Sequence, residues 1–291
     1  MALPELVKPV IPPSNLEQVT DSQLAQFAGL IYNRTGIRVS PQKKTLLSNR
    51  VRRRLRKTGI ERFGDYYQHL KRLRPNDSEW DAFLQEITTH ETYLFRDESQ
   101  WKWFRRDFLA QCADEARSGE RQHCLRIWSA ACSTGDEVVT MACCIADALP
   151  NLKQWKIQIL GTDIGIGALE QAKSAVFGER AMRLVSESYR RRFFTKAKDA
   201  NIWQAKPILT DMLAFRQHNL MHRLRDKAFD LVFLKNVLIY FDAASKQTVI
   251  SNVRATIRSG GFLVAGAAEG VADLIRDFQR IQPWLYRKPF K

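Results

Sequence analysis

Three short stretches carry the residues best placed to do chemistry. In SAACSTGDE (Ser129 to Glu137), small side chains and a single glycine precede a helical pattern. Small residues let a ligand approach the backbone closely, and a helix start offers N–H groups that lack a partner within the helix. The turn has no GxGxxG, and a plain strand-turn-helix accounts for it equally well. Asp163, at the end of KIQILGTD, adds a carboxylate that can take both hydroxyls of an adenosine ribose or cap the next helix. Lys235 and Asn236 close the run FDLVFLKN. Tyr240 follows in VLIYF, where its spacing also suits a core aromatic. No group of His, Cys, Asp and Glu is read as a metal site.

The elements that must position these residues fall into two patterns. The first third reads as short helices. Asp21 can cap one carrying Leu24, Phe27, Leu30 and Ile31, with Gly36 as its stop. A second runs from about Pro41 to Thr58, a third follows Gly64-Asp65, and a fourth starts at Asp77 or Ser78, where Ser78 and Asp81 have capping-box spacing. A longer helix from Glu98 turns Trp101, Phe104 and Leu109 inward. From Cys124 onward, apolar strands (CLRIWSAA, KIQILGTD, FDLVFLKN, GFLVAGAA) alternate with helices over Gly135 to Leu149, Ala168 to Ala175 and Ala243 to Ile257. That alternation predicts a parallel, doubly wound α/β sheet with its ligand at the carboxyl ends of the strands.

Composition narrows the class. Apolar residues make up 45% of 291, enough for a sizeable core, and no run approaches the roughly 20 residues of a membrane span. The leader, residues 1–14, reads as flexible. Five cysteines without a CxxC pair suit reduced thiols in the cytoplasm. The net charge of +15 favours polyanionic partners. Within Pro41 to Thr58, Lys43, Arg50, Arg54 and Lys57 share one helical line, while Leu47, Val51 and Leu55 face a core. The basic line suits docking on an acidic receptor helix, contact with nucleic acid, or a solvated face.

Over Gln23 to Lys288 the chain resembles the chemotaxis-receptor glutamate methyltransferases. The resemblance is carried by GLIYNRTGIRVSPQKKTLLSNRVRRRLRKTGI, TTHETYLFRDESQWKWF, RIWSAACSTGDE, GTDIGIGALEQAKSAVF, and FDLVFLKNVLIYFD with GGFLVAGAAE, in that order. It implies a class I S-adenosylmethionine-dependent methyltransferase, a Rossmann-like doubly wound sheet preceded by a small all-α domain. The boundaries it implies are 15–89 for a receptor-docking helical domain, 90–123 for a linker and helix over the cofactor, and 124–291 for the catalytic domain, with a small β-subdomain near 194–213.

The resemblance also implies residue roles. His90, Thr92 and Arg96 would lie over S-adenosylmethionine or its product S-adenosylhomocysteine. Glu137 would engage the methionine end and Asp163 the ribose. Asn219 and Leu220 would flank the adenine, with Lys235 and Asn236 at the next strand end. Arg96 and Tyr240 would lie nearest the transferred methyl. The chain departs from the family at His90, Val138, Val139, Lys235 and Ala267-Ala268, and the changes at Val139 and Ala267-Ala268 are expected to remove polar groups near the cofactor. The implied function is esterification of receptor glutamates by a cytoplasmic monomer that does not insert in membranes. The departures leave a pilus-linked sensory cluster and a cofactor-binding regulatory module as alternatives. A nucleic-acid methyltransferase is disfavoured because KNVLIYF lacks the Asn/Asp-Pro-Pro-aromatic motif of base-amine enzymes.

Overall fold

Helix α1 (Asp21–Thr35) starts where Thr20 and Gln23 can satisfy each other. The Thr20 hydroxyl accepts the Gln23 N–H at 3.1 Å and the Gln23 side chain accepts the Thr20 N–H at 2.9 Å, a reciprocal cap. Thr20, not Asp21, therefore caps the helix, and Gly36 ends it at φ +74°. In the computed structural model, which describes residues 19–74, 77–88, 91–198, 201–266 and 269–290, a 3₁₀ turn at Pro41–Lys43 leads into α2 (Lys44–Thr58). Next come α3 (Phe63–Arg72) and α4 (Ser78–Ile87). Asp77 caps α4 through the Glu79 N–H at 2.9 Å, so the Ser78/Asp81 spacing is not used. Apolar positions three and four apart turn inward, and Phe27, Val51, Tyr66 and Phe83 meet in one core.

The basic line on α2 is not a uniform face. Arg54 is buried and forms a two-pronged ion pair with Glu79, at 3.0 and 2.5 Å, while Tyr66 donates its hydroxyl to the same carboxylate at 2.5 Å. It lies on the side that packs against α3 and α4, which removes it from the expected docking set. Arg50 points elsewhere, donating to the Ile87 carbonyl.

The second half begins with α5 (Glu98–Trp103), a π-helical turn at Phe104–Phe108 and α6 (Leu109–Arg117). Then come β1 (Cys124–Ala130), α7 (Asp136–Ala148), β2 (Lys156–Asp163) and α8 (Ile166–Ser174). An insertion follows: β3 (Val176–Gly178), α9 (Glu179–Met182), α10 (Glu187–Phe193), β4 (Phe194–Lys196), β5 (Ile202–Ala205) and α11 (Pro207–Thr210). The chain then returns through β6 (Leu213–Gln217), β7 (Phe229–Leu234), α12 (Ala243–Thr256), β8 (Ile257–Ala265), β9 (Gln279–Gln282) and β10 (Leu285–Arg287).

The main sheet has the order β6-β2-β1-β7-β8-β10-β9. Strands β6, β2, β1, β7 and β8 are parallel and β10 is antiparallel to both its neighbours, so a hairpin closes an otherwise parallel sheet. The chain works outward from β1 to β6 and then returns to β7 beside β1. Strand order therefore reverses between β1 and β7, where such sheets open a crevice. The small sheet, β3-β5-β4, starts at Val176, well before the expected 194, because β3 is too short to show a pattern. The cysteines are all free, and burial pushes the Cys112 and Cys144 thiols up to about 12.

Candidate active site

The turn after β1 is built for close approach. Ala131 and Ser133 adopt φ +66° and +51°, and Gly135 adopts +87°. A Cβ on Gly135 would lie 2.9 Å from that of Ala172, so glycine alone lets α7 start this close to α8. Asp163, only 7% exposed, accepts the Ser133 N–H and the Gly165 N–H, each at 2.9 Å. Its carboxylate thus secures the turn and the entry to α8 while lining the cleft.

Glu137, in the first turn of α7, accepts from the Ser129 hydroxyl at 2.8 Å. Its other oxygen lies 3.4 Å from Lys235 Nζ, which is also 3.1 Å from Asp97 and 5.3 Å from the centre of the Trp101 ring. The Lys235 side chain is 3% exposed, and the two carboxylates compensate the cost of burying its cation. Asn236 follows at φ +57°.

The segment over the cleft is tied at several points. Glu91 pairs with Arg180 at 2.5 Å, the Arg183 guanidinium lies 3.3 Å from the Tyr93 ring centre, and the Leu94 N–H reaches the Ala181 carbonyl at 3.1 Å. Phe95 and Asp97 bend the chain at φ +60° and +67°. Between them Arg96 donates to the Glu91 carbonyl at 3.1 Å, and its own carbonyl accepts the Trp101 indole N–H at 2.6 Å.

The all-α domain completes the walls. Ile37 forms an antiparallel bridge with Phe241, and the Arg38 N–H donates to the Tyr240 carbonyl at 2.8 Å. The Lys43 ammonium lies 5.4 Å from the Tyr240 ring centre. On the opposite wall the Asn219 amide donates to the Arg34 carbonyl at 2.8 Å and accepts the Met221 N–H at 3.0 Å.

One cleft therefore brings together Thr92, Arg96, Glu137, Asp163, Asn219 and Leu220. Lys235, Asn236, Tyr240, Lys43 and Arg50 line it as well. Arg54 and Lys57 do not; Lys57 is exposed and lies 3.6 Å from Glu86. His90 and Ala267-Ala268 fall outside the described residues. Val138 and Val139 are fully buried in the core beneath α7, and neither lines the cleft.

Sequence reasoning missed Asp97 and His218. Asp97 adjoins Arg96, but only its left-handed turn aims it at Lys235. His218 lines the cleft between Asp163 and Asn219, and burial beside Arg216 and His222 lowers its pKa to about 4. The donor set suits S-adenosylmethionine: a carboxylate at the end of β2 for a diol, one in the first turn of α7 for an ammonium, and apolar Leu220 and Ile164 for a base.

Comparison with known proteins agrees with this geometry. Residues 22–88 match the family described as CheR methyltransferase, all-alpha domain, and residues 90–285 match CheR methyltransferase, SAM binding domain. The chain is 31% identical to the chemotaxis protein methyltransferase of Salmonella typhimurium over 265 residues, covering 89% of this chain and 88% of that protein. It is 33% identical to chemotaxis protein methyltransferase 1 of Pseudomonas aeruginosa, covering 85% and 89%. With the chemotaxis protein methyltransferase of Borreliella burgdorferi it shares 28% identity, covering 93% and 95%.

Proposed function

The chain belongs to the CheR methyltransferase family, and from that premise we propose that it esterifies glutamate side chains on the acidic cytoplasmic helices of a chemosensory receptor, using S-adenosylmethionine. The observation that carries the reading is the meeting of Arg96 and Tyr240 in the same cleft as Asp163 and Glu137. Bound S-adenosylmethionine supplies an electrophilic methyl on a sulfonium. A glutamate carboxylate, with a reference pKa of about 4.3, is already an anion at neutral pH. The residues therefore have to align and to exclude water, and no general base is required.

Asp163 offers its carboxylate to ribose hydroxyls, and Glu137 offers its own to the ammonium of the methionine end. Lys235 keeps Glu137 oriented through the Asp97–Lys235–Glu137 chain of charges. Arg96 holds one oxygen of the acceptor carboxylate by a charge-assisted bond and leaves the other free to attack. The ester is neutral, so that hold weakens once the reaction is complete. Tyr240 orients the acceptor with its hydroxyl. Lys43 and Arg50, at the wall contributed by α2, give the cleft a positive field that draws an acidic helix.

The test is incubation with labelled S-adenosylmethionine and either receptor-bearing membranes or nucleic acid. Base-labile label on receptor is expected. Label on nucleic acid, or cofactor binding with no transfer to either, would replace this reading with a base methyltransferase or a regulatory module. No described helix is long and apolar enough to cross a membrane.

A further inference from the structure

We propose that Glu269 is a positioning residue for methyl transfer, a buried acceptor on which the loop carrying Asn236 and Tyr240 is wound. The proposal rests on the reading of the cleft as a methyl-transfer site. Glu269 follows β8, is 1% exposed and lines no part of the cleft. Its Oε1 accepts the Val237 N–H at 3.0 Å, and the N–H groups of Asn236, Leu238 and Ile239 lie near enough to favour the charged carboxyl, while the buried Oε2 has no hydrogen-bond partner among the described residues. Successive backbone N–H groups that converge on one point form a concavity that demands an acceptor. Here the chain supplies that acceptor itself, from 30 residues and more downstream.

The fit leaves little freedom. Asn236 sits at φ +57°, in the left-handed region that asparagine enters more readily than other non-glycine residues. A Cβ on Gly266 would lie 3.1 Å from Glu269 Cγ and Oε1, and 3.5 Å from the Asn236 nitrogen, so a side chain there would crowd the carboxyl that reaches the loop. The backbone of Glu269 is fixed in turn, its carbonyl accepting from Lys246 Nζ on α12 at 3.1 Å. Burial raises the pKa of the carboxyl, and the loop N–H groups oppose that rise. What the geometry requires at this point is an acceptor oxygen at Oε1 for the Val237 N–H. The loop bears Asn236 on the cofactor side and Tyr240 on the acceptor side, so unwinding it displaces both at once.

Three variants separate this role from mere packing. Glu269→Gln keeps the length and the Oε1 acceptor, Glu269→Met keeps the volume without an acceptor, and Glu269→Ala keeps neither. Expected for Met and Ala are a kcat lowered about tenfold or more, S-adenosylhomocysteine affinity weakened severalfold, and a KM for receptor within twofold. Amide hydrogen exchange should accelerate across residues 236–240 and stay unchanged in β1 and α7. Gln should retain most of the kcat and the protection. Met matching Gln in kcat and exchange would overturn the proposal, as would loss of the whole fold in both Met and Ala while Gln folds, which would make Glu269 a folding residue only. Product affinity and exchange are read without receptor, so they decide the matter even if receptor proves to be the wrong substrate.

Discussion

Asp163 was legible as a carboxylate at a strand end, with ribose ligand and helix cap as its two readings; α8 starts after Gly165 with no side-chain cap, and the ribose role belongs to the proposed function. One carboxylate secures both the Ser133 turn and the Gly165 entry to α8 while facing the cleft. Asp163→Ala should weaken S-adenosylhomocysteine binding by about 1–3 kcal/mol, the scale of a lost charged hydrogen-bond partner; calorimetry reads this directly, and unchanged affinity would take Asp163 out of the site. Arg96→Ala should abolish transfer to receptor with only a modest loss of cofactor affinity, because its proposed task is to hold the acceptor; transfer near the wild-type rate would remove that task. His218 gives a pH prediction. Its folded pKa of about 4 lies below the ordinary 6.5, so between these values the unfolded chain binds a proton that the folded chain does not. Stability should be complete above about pH 6.5 and fall as pH drops toward 4. His218→Phe should flatten that slope in thermal melts across the window, and an unchanged slope would assign the acid loss to other groups. Arg216 and His222 are near neighbours of His218 in sequence, but the burial that contributes most could not be read locally, because Trp128, which packs against the ring, comes from distant β1.

At the scale of elements, periodicity reported what repeats and was silent on what does not. The strands β1, β2, β7 and β8 are long apolar runs and were read in place. Strands β3, β4, β9 and β10, of three or four residues each, carry no pattern, so the insertion began earlier than expected and the closing hairpin went unread. On α2 the 3.6-residue period placed Leu47, Val51 and Leu55 inside correctly, but it could not reveal that Glu79 and Tyr66 draw Arg54 in beside them. Arg54→Ala should cost about 3 kcal/mol, since it strands a poorly solvated carboxylate and phenol, whereas Lys57→Ala should fall within about 0.5 kcal/mol. Denaturant melts giving equal, small effects would mean that the Arg54 pair is solvated. Gly36 links the elements of both domains: it ends α1 at φ +74°, and a Cβ there would lie 2.5 Å from Met221 Sδ and 3.1 Å from Phe241. Gly36→Ala should destabilise by about 1–3 kcal/mol and lower turnover through the Phe241 bridge.

For the whole molecule, the joints between domains decide the site, and these were the least legible part of the chain. The Asn219–Arg34 hydrogen bond spans 185 residues, and the Ile37–Phe241 bridge spans more. Neither leaves a local pattern. They close the all-α domain onto both walls of the cleft, so the proposed receptor docking and the proposed methyl transfer would share a surface that includes Lys43. The +15 charge should then act mainly on encounter. Reversing the exposed Lys43 and Lys57 to Glu should raise KM for receptor at low salt and leave S-adenosylhomocysteine affinity alone, with the difference shrinking as salt screens charges beyond about 8 Å. An unchanged KM in the folded double variant would detach this face from docking. The central claim, methyl transfer to glutamate side chains, is tested most directly by peptide mass spectrometry of receptor cytoplasmic domain incubated with the protein and S-adenosylmethionine. The account predicts a single added methyl on specific glutamates, lost on mild base treatment and absent with Arg96→Ala. Contradiction would be receptor left unmodified by a folded protein that binds S-adenosylhomocysteine, or methyl found on a base-stable nitrogen.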